Sequence, residues 1–341
     1  MSDLHKRVQR VTQSDVALLA GVSQTTVSQV LNHRVTVSIS DATRRRVQAA
    51  ARELGYEPNR TAQSLRTMRT RTIGFVIPDI TNPFYPALEQ AVQYVVDAHD
   101  YDLLIANTDG VATKERKCLR LLAQGRVDGL VGVFFHLSAR DLNPVVLAGV
   151  PIVRIETQLR SIGDWPLDNL FVDNRVAAQA ATRHLLDGGH RNVAMIAGPG
   201  GPSSARVAGY QLALADAGLQ PRVVHAADFA TEPGTRAMTE LLRRDPRPTA
   251  VFAANDLLAV GALVAVRDSG LRVPEDVAIV GFDDIDIAAL VTPRLTTVRQ
   301  FQDRLGRRAA EMLFERLERR FTGSARCEEQ PFELIVRESS P

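Results

Sequence analysis

Cysteine, aromatic residues and long apolar runs are all scarce in this chain. The two cysteines among 341 residues, Cys118 and Cys327, exclude a disulfide scaffold and a cysteine-rich zinc framework. No apolar run approaches the roughly 18 residues of a membrane helix, so no membrane partner is expected. The opening residues, MSDLHKRVQR, lack the apolar core of a secretory signal, which points to a cytoplasmic location. Internal repeats and low-complexity segments are missing too. With 45% apolar residues, disorder is excluded and two or three folded cores are affordable at this length.

Charge is present in near balance, 41 Lys+Arg against 39 Asp+Glu, but it is unevenly placed. Residues 1–71 hold 12 cationic and 5 anionic side chains, leaving 29 and 34 for the rest. A small basic head on a mildly acidic body suits a nucleic-acid binder, whose phosphate contacts need concentrated cations.

The head reads as three short helices. Thr12 followed three residues later by Asp15 forms a capping box, after which Val16, Leu19 and Ala20 share a face. Gly21 is placed to stop this helix, Val22 is expected as a buried turn residue, and Ser23 caps a second helix with Val27, Val30 and Leu31 inward. A third helix runs from its Ser40 cap to Leu54, where Gly55 and Pro58 end it. Helix, tight glycine turn and helix is an arrangement that presents the second helix to a major groove. Gln24, Thr25 and Gln29 are the candidates for base edges, and Ser23, Thr26, Ser28 and Asn32 for phosphates.

From Ile73 the periodicity changes. Short β-branched runs at 73–77, 102–107, 129–134, 152–156, 170–173, 193–198, 250–254 and 277–282 alternate with helical stretches at 83–99, 113–124, 175–187, 205–217, 234–243 and 256–269. This alternation predicts parallel sheets with crossover helices, and about eight strands suggest two doubly wound lobes. The polar stretch 161–169 is the expected crossing, and 332–336 a last strand with no heptad tail after it.

A doubly wound lobe binds ligands beyond the carboxyl ends of its strands. Asp79, Asn82 and Phe84 follow the first strand, Glu156 the fourth, Arg206 the sixth, and Asn255 and Asp283 the next two. Carboxylates, amides and a guanidinium with Phe84, Tyr85 or Trp165 as a ring face suit a sugar, polyol or sugar acid. Asp256 is expected to cap its helix. Arg154, two residues before Glu156, either pairs with it or favours an anionic ligand. Enzyme signatures are weak: Gly198-Pro-Gly-Gly has Ser203 in place of a third glycine, and His184 and His190 lack zinc spacing. No catalytic residue, metal or cofactor is expected.

The ordered pieces Asp15-Val-Ala, Ala20-Gly-Val-Ser, Thr26-Val-Ser-Gln-Val-Leu-Asn32, Leu54-Gly-Tyr-Glu-Pro-Asn59, Ser64-Leu-Arg-Thr67, Pro78-Asp-Ile-Thr-Asn-Pro-Phe84, Asn255-Asp256 and Gly281-Phe-Asp-Asp284 carry a resemblance. The chain resembles the LacI/GalR family of bacterial transcription regulators from about Val11 to about Val336. It departs from that pattern at Gln29, where the family commonly has Arg, and in a loop at 33–39 about two residues longer. The resemblance implies a helix-turn-helix head over 1–57, a hinge helix and linker over 58–71, and a two-lobed periplasmic-binding-protein-like core over 72–341 that also dimerises. Its lobes are expected at 72–164 with 299–322 and at 165–298 with 323–341. The resemblance further implies a homodimeric repressor on near-palindromic double-stranded operator DNA, with Asn59, Ala62 and Leu65 at the minor groove. Arg206 and Asp283 match family effector positions, and Glu156 stands where many relatives have Asp. A sugar-modifying enzyme or a sugar-binding transport protein is the competing reading; both leave residues 1–71 unexplained.

Overall fold

A computed structural model describes residues 11–31, 39–56, 69–156 and 167–341. The chain divides into two compact units, Met1–Thr70 and Arg71–Pro341.

The described part of the first unit is three helices, α1 (Gln13–Ala20), α2 (Gln24–Leu31) and α3 (Asp41–Glu53). The Thr12 amide donates to Asp15 Oδ2 at 2.8 Å, and the Asp15 amide returns to Thr12 Oγ1 at 3.4 Å, closing the expected capping box. Gly21 ends α1 in the left-handed region at φ 64°, where a side chain would be strained. Ser23 Oγ accepts from the Thr26 amide at 3.1 Å, and Ser40 Oγ from the Thr43 amide at 3.3 Å. Val16, Ala17, Ala20, Val27, Val30, Val47, Ala50 and Ala51 form the core. Leu19, expected to face inward, is 47% exposed. The buried stripe of α1 is centred on positions 16, 17 and 20, which turns residue 19 to the side.

The second unit holds two parallel sheets. Strands β1 (Thr72–Ile77), β2 (Asp102–Asn107), β3 (Gly129–Gly132), β4 (Ile152–Glu156), β5 (Leu167–Phe171) and β11 (Cys327–Glu329) lie in the order β11-β5-β4-β3-β1-β2. The second sheet, in the order β7-β6-β8-β9, comprises β6 (Val193–Ala197), β7 (Val223–His225), β8 (Ala250–Ala253) and β9 (Ala278–Val280). A separate antiparallel pair joins β10 (Thr297–Arg299) to β12 (Glu333–Ile335).

Helices cover both faces of each sheet. In the first lobe α4 (Phe84–Ala98) and α12 (Gln302–Leu317) pack on one side, with Leu88, Val92, Leu305 and Leu313 against Phe75 and Val131. On the other, α5 (Ala112–Ala123) and α6 (Ala139–Leu147) bury Leu119, Leu122 and Leu142 against Val76 and Ile152. In the second lobe α7 (Asn174–Asp187), α8 (Ser203–Asp216), α9 (Thr231–Leu242) and α10 (Asp256–Asp268) enclose Met195, Phe252 and Ile279. Each large apolar side chain removed from water contributes about 1.5–3 kcal/mol.

The lobe boundaries differ from expectation. β5 begins at Leu167 and pairs with β4 in the first sheet, so the crossing falls after Phe171 instead of at 161–169. β11 also pairs with β5, which takes 327–329 out of the second lobe. The chain therefore changes lobe at 172–173, 300–301 and 330–332. The third strand stops at Gly132, two residues before the expected end, and α6, β7, α11 (Ile287–Leu290), β10, α12 and β11 were not anticipated as elements.

Candidate ligand cleft and nucleic-acid face

On the head, Gln24 and Thr25 are exposed on the first turn of α2, and Gln29 is half-buried one turn on. Ser23 is exposed; Thr26 and Ser28 are half-buried. Ser23 and Thr26 hydroxyls lie 2.9 Å apart in a mutual hydrogen bond, which leaves one of their two protons for another acceptor. Asn32, Asn59, Ala62, Leu65 and Trp165 fall outside the described residues. Arg45 and Arg46, exposed on α3, add cations that the residue-by-residue reading passed over. Their signal was the Arg44-Arg45-Arg46 run itself.

In the core, a cavity of about 430 Å³ opens between the carboxyl ends of the two sheets. Asp79, Asn82 and Phe84 line it from the first lobe, and Arg206, Asn255 and Asp283 from the second. Of Glu156 the structure describes the backbone alone. Asn82 Oδ1 accepts from the Phe84 amide at 3.1 Å, which starts α4 and sets Phe84 and Tyr85 at the cavity edge.

Arg206 and Asp283 form the polar floor. Arg206, 4% exposed, donates Nε to Asn174 Oδ1 at 2.7 Å, Nη1 to the Ala254 carbonyl, and Nη2 toward Asp283 Oδ1 at 3.4 Å. Its guanidinium lies 3.7 Å over the Phe282 ring. Asp283 Oδ1 also accepts from Gln300 Nε2 at 2.7 Å, and its carbonyl from Gln302 Nε2 at 2.5 Å. Asn174 and Gln300 each adjoin a lobe crossing, so the floor is bonded to two of the three hinges.

Other expectations are corrected. Asn255, not Asp256, caps α10: its Oδ1 accepts from the Leu258 amide at 2.9 Å and its Nδ2 donates to the Phe229 carbonyl at 3.0 Å. Asp256 is buried and accepts from the Ile285 amide at 2.9 Å and Thr297 Oγ1 at 2.5 Å, tying loops of the second lobe together. Burial and the nearby Asp283 push its carboxyl well above the usual range. Arg154 is buried beside the neighbouring strand, with Nε on Asn169 Oδ1 at 2.7 Å, and does not line the cavity. Asp284, next to Asp283, turns to Arg299 and Arg337 at 2.6 and 2.7 Å and does not line the cavity.

Sequence reasoning missed Phe135, His136, Asp228 and Phe229, all lining the cavity after strands β3 and β7. The rule for strand ends would have found them had β7 and the true end of β3 been read.

Burial raises the Asp283 carboxyl to about 6 even though Arg206 and Gln300 pull it down. A carboxylate raised on folding binds its proton more tightly in the native state, so its contribution is largest at acid pH and fades as pH rises through about 6. Between pH 5 and 7 wild type should lose about 1 kcal/mol of stability relative to Asp283→Asn. Urea unfolding of both proteins at the two pH values checks this; a constant difference would contradict it.

Two family descriptions match the chain: bacterial regulatory proteins, lacI family, over residues 12–59, and a periplasmic binding protein-like domain over 182–340. The HTH-type transcriptional repressor PurR of Aliivibrio fischeri (strain MJ11) is 36% identical over 340 residues, covering 96% of this chain and 98% of that one. The ribose operon repressor of Escherichia coli (strain K12) is 38% identical over 317 residues, covering 90% and 93%. The solved lac repressor dimer, bound to operator and the anti-inducer ONPF, aligns with a TM-score of 0.83 at 27% identity, covering 97% and 99%. A three-helix head, a two-lobed core and this likeness along nearly the whole chain place it in the lacI family of bacterial regulatory proteins, as a ligand-modulated, DNA-binding transcriptional repressor.

Proposed function

We propose that a homodimer of this chain holds a near-palindromic operator through Gln24, Thr25 and Gln29, and that a neutral sugar or polyol in the core cavity alters that hold. The observation that carries the reading is the bonding of the Arg206–Asp283 floor to Asn174 and Gln300. A ligand that engages the floor acts on both crossings at once. A coupling of about 1–3 kcal/mol between lobe arrangement and head geometry is enough to change operator affinity.

The ligand reading narrows to a neutral molecule because four carboxylates, Asp79, Asp109, Asp228 and Asp283, line the cavity with one guanidinium, Arg206. A sugar acid is favoured only by an unpaired Arg154, and Arg154 is paired with Asn169. Phe84, Tyr85, Phe135 and Phe229 supply apolar walls for the C–H faces of a sugar. Edge strand β2 exposes Leu104 and Ile105, at 42% and 39%, which suits pairing with a second copy. Among the described residues no helix is long and apolar enough to cross a membrane. An enzyme or transport reading gives the basic head no task. Ser23, Thr26, Ser28 and Asn32 belong to phosphates in this proposal, and Asn59, Ala62 and Leu65 to the minor groove.

Binding-site selection from randomised duplexes, with and without a sugar panel that includes ribose, tests the proposal. Wild type should enrich one inverted repeat whose yield changes with a neutral sugar. Glutamine reads N6 and N7 of adenine whereas arginine reads O6 and N7 of guanine. Gln29→Arg should therefore move one position of each half-site from A·T toward G·C, by about 1–3 kcal/mol of discrimination. An unchanged preference at every position would remove Gln29 from the base contacts.

A further inference from the structure

One loop of the first lobe reaches the second. It follows β3, and its conformation is fixed by a side chain that looks like ordinary helix dressing in the sequence. Glu115, in the charged first turn of α5, is 0% exposed. Its carboxylate accepts from three successive amides: Phe135 at 2.8 Å, His136 at 3.1 Å and Leu137 at 3.1 Å. A buried carboxylate needs such charge-assisted partners, and three successive amides bound to one carboxylate tie the backbone of the loop to α5. His136 Nε2 adds a bond of 2.8 Å to the Gly110 carbonyl.

The loop so held carries Phe135 across the cleft. Its ring centroid lies 6.4 Å from that of Phe229, at 62°, an edge-to-face contact with no room for a ligand ring between them. The same ring covers Gly201, where a Cβ would stand 2.7 Å from three of its atoms. Gly201 has φ 49°, so glycine serves there both the backbone and the incoming ring. Phe135, His136 and Phe229 all line the cavity, and Gly110 and Gly200 border it.

We propose that Phe135 is a latch that closes the ligand cavity by joining the lobes, and that Glu115 is the positioning residue that presents it. The latch works without a ligand and sets how often the cavity opens. Only its consequence for sugar binding rests on the function proposed above.

Hydrogen exchange on the full-length, ligand-free protein tests the latch without sugar or DNA. Phe135→Ala should speed exchange in second-lobe segments 198–206 and 226–231 about two- to tenfold, while amides 135–137 stay slow because Glu115 still holds them. Glu115→Gln should speed both regions, and adding Phe135→Ala to it should change the second lobe no further. Glu115→Asp, which keeps the charge but shortens the reach, should fall between wild type and Glu115→Gln. Second-lobe exchange at the wild-type rate in Phe135→Ala would overturn the latch. Release of 135–137 in Glu115→Gln without any second-lobe change would overturn the positioning role. A wild-type protein that selects no operator and binds no sugar would sink the function proposal while leaving these exchange results standing.

Discussion

Asp168→Ala should lower the thermal midpoint of the protein by about 10 °C, the largest stability loss expected from any single carboxylate in the first lobe. Asp168 lies in β5 with 0% exposure and accepts five hydrogen bonds. Arg316 gives it two, at 2.6 and 2.8 Å; the Arg326 side chain gives two more, at 2.7 and 3.2 Å, and the Arg326 amide another at 2.9 Å. Burial by itself would raise this carboxyl, but the hydrogen bonds from the two arginines outweigh it and hold it below the usual range. Removing the carboxylate leaves two guanidiniums, 7% and 14% exposed, without that anion. Breaking a buried pair in this way costs about 3–5 kcal/mol, because the remaining charge is desolvated and uncompensated.

Two controls separate charge from packing. Asp168→Asn keeps the shape and loses the charge, so it should fall between wild type and Asp168→Ala. A carboxyl depressed on folding supports stability above its unfolded pKa and loses that support as pH falls through the folded one. The gap between wild type and Asp168→Asn should therefore narrow toward strongly acid pH. A midpoint for Asp168→Ala within about 2 °C of wild type would show that Glu315, which also bonds Arg326 and Arg308, carries the cluster instead.

The same cluster explains why the lobe boundary was not legible. Leu167-Asp-Asn-Leu-Phe171 places two polar residues inside a strand that is buried throughout, and such a run does not read as a central strand. Its place in the first sheet depends on arginines 148 and 158 positions away, which no local pattern contains. Glu115 was hidden in the same way. Beside Lys114, Arg116 and Lys117 it reads as a solvated helix face, yet its partners are amides of a distant loop. What was legible was local chemistry: the Thr12–Asp15 box, the Gly21 stop, the Ser40 cap, and the strand at 102–107, whose bounds match β2. The seven expected side chains found at the cavity, Asp79, Asn82, Phe84, Tyr85, Arg206, Asn255 and Asp283, were legible because strand ends point to the cleft whatever the lobe boundary is. Helix α12, absent from the elements read in the sequence, carries an apolar stripe at helical spacing, Leu305, Ala309, Met312 and Leu313, which the 3.6-residue period makes readable.

If the proposed sugar is the ligand, Arg206→Lys should make the repressor indifferent to it while leaving operator selection intact. A guanidinium has five N–H donors in a rigid fork. In Arg206 three of them meet Asn174, Ala254 and Asp283, and the side chain lines the cavity, so the fork faces structure on one side and the cavity on the other. Lysine retains the charge opposite Asp283 but cannot reach Asn174 and the ligand together. Two lost charge-assisted hydrogen bonds, each about 1.5–3 kcal/mol, amount to a fall in sugar affinity of roughly 100-fold or more. Asn174, beside the first crossing, loses the donor that links it to the floor, so residual binding should no longer move the lobes. Calorimetry with the sugar chosen from the panel, and operator titrations with and without it, measure the two effects separately. Wild-type sugar affinity in Arg206→Lys would take Arg206 out of the ligand site. Weakened affinity with a full operator response at saturating sugar would keep Arg206 in the site but place the coupling elsewhere, with Gln300 and Gln302 on Asp283 as the remaining bonds to the hinge.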